Sequence, residues 1–126
     1  MKGLSEVGVE GVITFLYYRD LEAAARFYED VMGFELTFDQ GWAKIYRATD
    51  SAYVGLVDEG RGYHRASPAK PVMVTLVVPD VDAWYRYLRK RGVETLNEPH
   101  DVEEIGVRAF LLEDPEGYVI EVMRFL

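Results

Sequence analysis

Few side chains in this 126-residue chain are of the types that catalyse reactions or bind metal ions. The chain has no cysteine, which excludes disulfides, thiolate metal sites and a cysteine nucleophile. Its two histidines, His64 and His100, both fall in predicted loops, where a lone histidine is usually solvated. We find no defensible Ser-His-Asp arrangement and no glycine loop between a strand and a helix that would bind phosphate. The candidates for chemistry are therefore side chains on the predicted strands.

The two halves of the sequence repeat each other, and the repeat positions these strands. Residues 12–21 read VITFLYYRDL, and residues 72–81 read VMVTLVVPDV. Each apolar, β-branched run predicts a strand. The aspartate that closes it, Asp20 or Asp80, predicts a helix N-cap, because a short carboxylate accepts hydrogen bonds from the free amides of the first turn. Two copies of one unit imply a two-fold-like body with a cleft between the halves, where we expect the functional site.

Both predicted helices are amphipathic, with apolar residues at spacings of three and four. The predicted buried faces consist of Leu21, Ala24, Ala25, Tyr28, Val31 and Met32 in the first helix and Val81, Trp84, Tyr85 and Leu88 in the second. Gly33 and Gly92 suit the left-handed conformation that ends a helix.

Three strand-like runs follow each glycine, so both halves read strand, helix, strand, strand, strand. The runs cover 34–38, 42–47 and 53–57 in the first half and 93–96, 107–112 and 118–125 in the second. Residues 58–71 contain two glycines and two prolines and predict a surface linker. We predict one domain, residues 1–126, built from two βαβββ modules at about 9–62 and 70–125.

Composition narrows the class of protein. Hydrophobic residues make up 49% and charged residues 29%, which is ordinary for a soluble globular domain. The net charge of −8 argues against a nucleic-acid binder, and it indicates either solubility or a preference for cationic ligands. No apolar run approaches a membrane span, the amino terminus lacks the apolar core of a secretory signal, and cysteine is absent. We therefore expect a cytoplasmic protein with no membrane partner.

Two motifs resemble a known family. The pattern D-L-E-x-A-x-x-F-Y-x-x-x-x-G-F stands at residues 20–34, and D-P-E-G-x-x-I-E-V stands at residues 114–122. Together they are similar to motifs of the vicinal oxygen chelate superfamily, which includes glyoxalase I, extradiol dioxygenases and the fosfomycin- and bleomycin-resistance proteins. The resemblance runs from about residue 9 to residue 125. It implies an α+β fold of two βαβββ modules that form an open, curved-sheet cup, and it implies a homodimer.

Enzymes of this superfamily typically hold a divalent metal with one residue from the first strand and one from the last strand of each module. Histidine, glutamine and glutamate are the usual ligands. By this resemblance the first-strand positions are Ile13 and Met73, and the last-strand position of the first module falls near Leu56 or Val57. Only the fourth position, Glu121, carries a usual ligand. We therefore expect no metal and no other cofactor, although a rearranged divalent site stays an alternative.

The resemblance also indicates which side chains line the cup. The candidate ligand-binding residues are Phe15, Tyr17, Trp42, Tyr46, Met73, Thr75, Arg108 and Glu121. The alternative is that the aromatic members only fill the core. Glu121 is the one candidate catalytic residue, as a general acid or base in an apolar environment. Its structural alternative is a carboxylate paired with a neighbour such as Arg108.

Three functions follow from these expectations. The first is metal-free binding of a small aromatic or cationic molecule in the cup, as in bleomycin-resistance-like proteins. The second is a metal-dependent or Glu121-dependent lyase, isomerase or dioxygenase of the same superfamily. The third is a non-catalytic scaffold whose cup is filled.

Overall fold

The computed structural model describes residues 7–126. The expectation about a secretory signal rests in part on residues 1–6, which lie outside the described residues. The chain divides into two compact units, one up to Ala66 and one from Ser67 onward, and this boundary lies inside the predicted linker. Each unit contains one four-stranded sheet and one helical segment, so the predicted α+β fold of two βαβββ modules is confirmed.

The first unit follows the predicted order. Its elements are β1 (Ile13–Tyr18), α1 (Leu21–Arg26) with a π-helical continuation (Phe27–Val31), β2 (Glu35–Asp39), β3 (Ala43–Thr49) and β4 (Ala52–Asp58). The sheet order is β1-β4-β3-β2, in which β1 runs parallel to β4 and the other pairs are antiparallel.

The second unit repeats this topology. Its elements are β5 (Met73–Val77), α2 (Val81–Lys90), β6 (His100–Val102), β7 (Val107–Glu113) and β8 (Val119–Phe125). The sheet order is β5-β8-β7-β6, with β5 parallel to β8. None of the helices in residues 7–126 has the length and apolarity that a membrane crossing needs.

The predicted helix boundaries are confirmed at both repeats. Asp20 Oδ1 accepts a hydrogen bond from the Ala23 amide at 3.1 Å, and Asp80 Oδ1 accepts one from the Ala83 amide at 3.0 Å. Gly33 and Gly92 have φ angles of 74° and 78°, in the left-handed region that side chains disfavour. The same local chemistry therefore starts and ends the helical segment in each unit.

Each helix covers one face of its own sheet. The hydrophobic core of each unit lies between its helix and its sheet. In the first unit Leu16, Leu56 and Tyr28 are buried, and the Tyr18 hydroxyl donates to the Tyr28 hydroxyl at 3.4 Å. In the second unit Leu88 is fully buried, and Tyr85 of α2 packs edge-on against Phe110 of β7 at 5.4 Å between ring centroids. Burying one such apolar side chain contributes about 1.5–3 kcal/mol. We call the covered side of each sheet its helix face and the other side its open face.

The predicted helix stripes are largely confirmed. Leu21, Ala24, Ala25, Tyr28 and Met32 are buried in the first unit, as are Val81 and Leu88 in the second, whereas Val31, Trp84 and Tyr85 are half-buried.

One predicted strand is wrong. Residues 93–96 form only an isolated bridge between Thr95 and Leu112, and the strand next to β7 is β6, which contains His100. The Asn97 side-chain oxygen accepts the hydrogen bond of the Leu111 amide and so replaces a backbone partner. Pro99 follows and has no amide to donate, so the ladder is interrupted between the bridge and β6.

The capping geometry yields a prediction about stability. Asp80→Ala removes the acceptor of the Ala83 amide, and we expect the free energy of unfolding to fall by about 1 kcal/mol in urea denaturation. Asp80→Asn is the matched control, because asparagine caps helices as well as aspartate does. Equal stability of the alanine variant and the wild type would show that this cap contributes nothing.

Candidate functional site

The open face of the first sheet carries an aromatic and apolar surface. In the parallel pairing of β1 with β4, Ile13 lies opposite Tyr53, Phe15 opposite Gly55, and Tyr17 opposite Val57. Paired residues share a face, and side chains along a strand alternate. Leu16 and Tyr18 therefore lie on the helix face, where both are buried. Phe15 and Tyr17 share the open face with Ile13.

Phe15 lies at the centre of this surface. Its ring occupies the space over Gly55, because a Cβ built on Gly55 would overlap the Phe15 ring atoms. The Phe15 side chain remains 42% exposed, so one side of the ring is open. A glycine at this position is what permits an aromatic ring to lie so close to the sheet backbone.

A cavity of about 500 Å³ adjoins this surface at the beginning of β1. It is lined by Gly11, Val12, Ile13, Thr37, Phe38, Ile45 and Tyr53. Phe38 belongs to this set because the pairing of β2 with β3 shifts register between Leu36 and Phe38, which places Phe38 opposite Ile45. A strict alternation read from the sequence misses Phe38, since a bulge moves a side chain to the other face.

The residues after β4 form a loop that is held by its own hydrogen bonds. Arg65 Nη1 donates to the carbonyl oxygens of Glu59 at 2.9 Å and Gly62 at 3.0 Å, and the Glu59 carboxylate accepts from the Ala66 amide at 3.1 Å. A Cβ on Gly62 would lie 2.8 Å from Tyr17 Cε1, so only glycine allows this close approach. The 59–66 loop therefore packs directly on the open face.

This loop brings a histidine to the aromatic surface. The His64 ring contacts the Tyr17 ring edge-on, with 5.2 Å between centroids, and contacts the Tyr63 ring edge-on at 4.9 Å. His64 is exposed to solvent. Trp42 joins the same region, since its indole lies 5.5 Å from the guanidinium carbon of Arg61 in the loop.

The prediction that Tyr46 lines the same surface is wrong. Tyr46 lies opposite Val54 on β4, on the helix face, and it is fully buried. Its hydroxyl has no hydrogen-bond partner in the part of the chain that the structure describes. Burial, reinforced by the nearby Glu29 carboxylate, raises the pKa of the Tyr46 phenol above its ordinary value. Consecutive residues of a strand lie on opposite faces, so an error of one residue in register reverses the predicted face. The aromatic-rich sequence of this strand does not show which register is correct.

Glu121 places a carboxylate on the open face of the second sheet. Thr75 of β5 lies opposite Glu121 of β8, and the Thr75 hydroxyl donates to Glu121 Oε1 at 3.0 Å. Glu121 is half-buried, and the neighbouring Met73 and Val77 are exposed at 48% and 63%. Glu121 is thus a partly solvated acceptor on an otherwise apolar strand face.

The structural alternative in which Glu121 pairs with Arg108 is wrong. Arg108 lies opposite Arg124, on the helix face, whereas Glu121 lies on the open face. Arg108 Nε and Nη2 donate to the two carboxylate oxygens of Asp82, both at 2.9 Å, and Nη1 donates to Asp101 at 3.0 Å. The Arg108 guanidinium holds the pKa of Asp82 below its usual range. Arg108 thus ties α2 to the sheet and is not available to a ligand on the open face.

The repeat identifies which residues correspond between the units. Phe15 precedes the capping aspartate of its unit by five residues, and Thr75 precedes its own by the same number. Because Phe15 pairs with Gly55 and Thr75 pairs with Glu121, Gly55 is the counterpart of Glu121. The prediction that placed this position at Leu56 or Val57 is therefore wrong by one or two residues.

These correspondences test whether the chain fits the divalent metal that the resemblance implies. The four positions are Ile13, Gly55, Met73 and Glu121, and only Glu121 has a side chain of the usual ligand type. Within residues 7–126 no group of three or more histidine, aspartate or glutamate side chains is placed to hold a metal ion. The side chains at these four positions therefore do not fit the divalent metal site of the superfamily.

Comparison with known proteins identifies the class. Residues 11–122 match the family model of the Glyoxalase/Bleomycin resistance protein/Dioxygenase superfamily, and the chain belongs to this superfamily. The uncharacterized protein YraH of Bacillus subtilis (strain 168) is 26% identical over 121 residues, covering 88% of this chain and 94% of YraH.

Solved structures share the fold. A glyoxalase/bleomycin resistance protein/dioxygenase from Nocardioides superposes with a TM-score of 0.72 at 25% identity, covering 97% of this chain and 89% of that one. Lactoylglutathione lyase from Agrobacterium tumefaciens superposes with a TM-score of 0.75 at 22% identity, covering 93% and 95% of the two chains. These likenesses confirm the βαβββ architecture.

The Phe15–Gly55 contact yields a prediction. Gly55→Ala introduces a Cβ that must displace the Phe15 ring, and we expect the Phe15 ring signals to shift in NMR spectra. The off-rotamer cost is about 0.5–1.5 kcal/mol, so the fold should persist. Gly11→Ala is the matched control, because its added Cβ meets no atom within 4 Å. Unchanged Phe15 signals in Gly55→Ala would show that the ring does not rest on Gly55.

Proposed function

We propose that this protein binds a small planar aromatic molecule on the open face of its first sheet, without a metal ion. The observation that carries the proposal is the Phe15 ring, which rests over Gly55 and leaves 42% of the side chain exposed. An aromatic ligand stacked there would bury ring surface on both partners. Aromatic pairs contribute about 0.5–1.5 kcal/mol beyond the area that they bury.

The surroundings of Phe15 support a ligand of this kind. Ile13 and Phe38 are exposed at 41% and 51%, and they line the adjoining cavity of about 500 Å³. A cavity of this size falls in the range of small-molecule sites, which are mostly apolar with a few polar groups. The net charge of −8 favours neutral or cationic ligands over anionic ones.

The replacement of the expected ligands supports the metal-free part of the proposal. In the first unit the counterpart of Glu121 is Gly55, and the space above it is taken by the Phe15 ring. In the second unit Glu121 stands beside Met73 and already accepts a hydrogen bond from Thr75. One carboxylate and one thioether do not make a tight site for a hard divalent cation.

The proposal predicts stabilisation by matched aromatic probes. We expect 2-ethylnaphthalene and 2-naphthylmethylammonium to raise the melting temperature of the wild type, because a ligand that binds only the native state stabilises it. 2-Naphthoate should raise it less. Phe15→Ala should weaken probe affinity about tenfold or more, which corresponds to roughly 1.4 kcal/mol or more.

Phe125→Ala is the matched control for this experiment, since Phe125 is a more exposed phenylalanine, at 65%, in the other unit. It should leave probe affinity unchanged. If none of the probes shifts the melting temperature of the wild type, or if Phe15→Ala binds them as tightly, the proposed site is wrong.

A second candidate function is a lyase, isomerase or dioxygenase that depends on Glu121. The observation that favours it is the half-buried Glu121 carboxylate, which the Thr75 hydroxyl orients on the open face of the second sheet. Elemental analysis of purified protein tests the metal-dependent form of this candidate. Stoichiometric Zn, Ni, Mn or Fe that resists dialysis would favour that enzyme and contradict metal-free binding.

A further inference from the structure

His64 is the polar side chain that the 59–66 loop places against the aromatic surface. Its ring contacts the Tyr17 ring edge-on at 5.2 Å between centroids. Tyr17 lies two residues beyond Phe15 on the same face of β1, a distance of roughly 7 Å along a strand. A bicyclic ring stacked on Phe15 and extending toward Tyr17 would therefore bring one edge toward His64.

The loop that carries His64 is preorganised. Its first turn is closed by Asp58, whose backbone oxygen accepts from the Gly62 amide at 3.0 Å and whose side chain accepts from the Gly60 amide at 2.8 Å. Its second half is held by Arg65, which donates to the Glu59 and Gly62 carbonyl oxygens. The histidine is therefore positioned before any ligand arrives, and little ordering entropy opposes binding.

We infer that His64 is a specificity-determining residue of the proposed aromatic site. It selects aromatic compounds that carry a neutral hydrogen-bond acceptor, such as a carbonyl, at the edge facing the loop. This inference rests on the proposed function. The imidazole has one N–H donor when neutral, and a hydrogen bond between neutral groups contributes about 0.5–1.5 kcal/mol.

The charges around His64 do not by themselves favour a charged group on the ligand. The 59–66 loop holds Arg61 and Arg65, but Arg65 is engaged with loop carbonyls and Glu59 lies beside it. Arg61 is stacked on Trp42. The strand before the loop ends at Asp58, so the fixed charges next to His64 largely offset one another. At physiological salt, charges beyond about 8 Å are screened, which leaves the imidazole as the discriminating polar group.

The test compares 2-acetylnaphthalene with 2-ethylnaphthalene, which share a carbon skeleton and differ in having a carbonyl or a methylene next to the ring. The wild type should bind the acetyl compound about fivefold more tightly. His64→Phe keeps a ring against Tyr17 but removes the donor, and it should abolish this preference while leaving the affinity for 2-ethylnaphthalene within twofold. His64→Gln restores an N–H donor and should recover part of the preference.

The other histidine supplies the matched control. His100 lies on β6 in the second unit, so His100→Phe should leave both affinities unchanged. In imidazole 15N spectra, the His64 signals are identified as those missing from His64→Phe. When 2-acetylnaphthalene is added to the wild type, the His64 signals should move and the His100 signals should not.

Two results would overturn the inference and are distinguishable. If both probes bind Phe15-dependently, but His64→Phe keeps the preference and the His64 imidazole signals of the wild type do not move, the role of His64 is wrong and the aromatic site stands. If neither probe binds the wild type, the proposed function fails and this inference fails with it.

Discussion

The constraint on which this structure depends is that one short helix covers one face of a four-stranded sheet in each unit. Strand side chains alternate, so half of them must lie on the uncovered face. Burial on the helix face is nearly complete for Leu16, Tyr18 and Leu56 in the first unit. The open face is then free to carry exposed apolar side chains such as Phe15, because stability is supplied from the other side. The helix face of these strands thus supplies stability, and the open face is left for the proposed binding.

Within this constraint the two repeats differ in chemistry at a central pair of open-face positions. The second unit holds Thr75 opposite Glu121, joined by a hydrogen bond, whereas the first holds Phe15 opposite Gly55. In each pair the two residues fit each other across the strands: the Thr75 hydroxyl donates to the Glu121 carboxylate, and Gly55 leaves room for the Phe15 ring. The polar pair orients an acceptor, and the aromatic pair presents a ring face. One backbone register therefore supports two kinds of chemistry.

The sequence predicted the elements well because their signals are local. Asp20 and Asp80 cap helices through their own side chains, and Gly33 and Gly92 end them through their own φ angles. The strand at residues 93–96 was mispredicted for a reason that is not local. Apolar content there favours a strand, but the Asn97 side chain takes over the pairing with Leu111.

Site residues were harder to predict, because the face of the sheet on which a side chain lies depends on the register between strands. Phe15 and Thr75 follow from alternation alone, whereas Tyr46 and Arg108 lie on the helix face and were assigned to the wrong side. Phe38 reaches the open face through a register shift that no composition signal reveals. Arg108 instead pairs with Asp82 at the first turn of α2 and so anchors that helix to the sheet.

The loss of metal-ligand residues changes what must orient a ligand in the proposed site. A metal ion fixes the direction of its ligands, but an aromatic ring does not, since stacked rings can slide and rotate at little cost. Orientation must then come from polar groups at the edge of the ring. In the first unit the 59–66 loop is the element that can supply them, and its packing requires glycine at position 62 against Tyr17. A loop whose shape is fixed by Arg65 and Asp58 is consequently as much a part of the proposed site as the ring on which a ligand would stack.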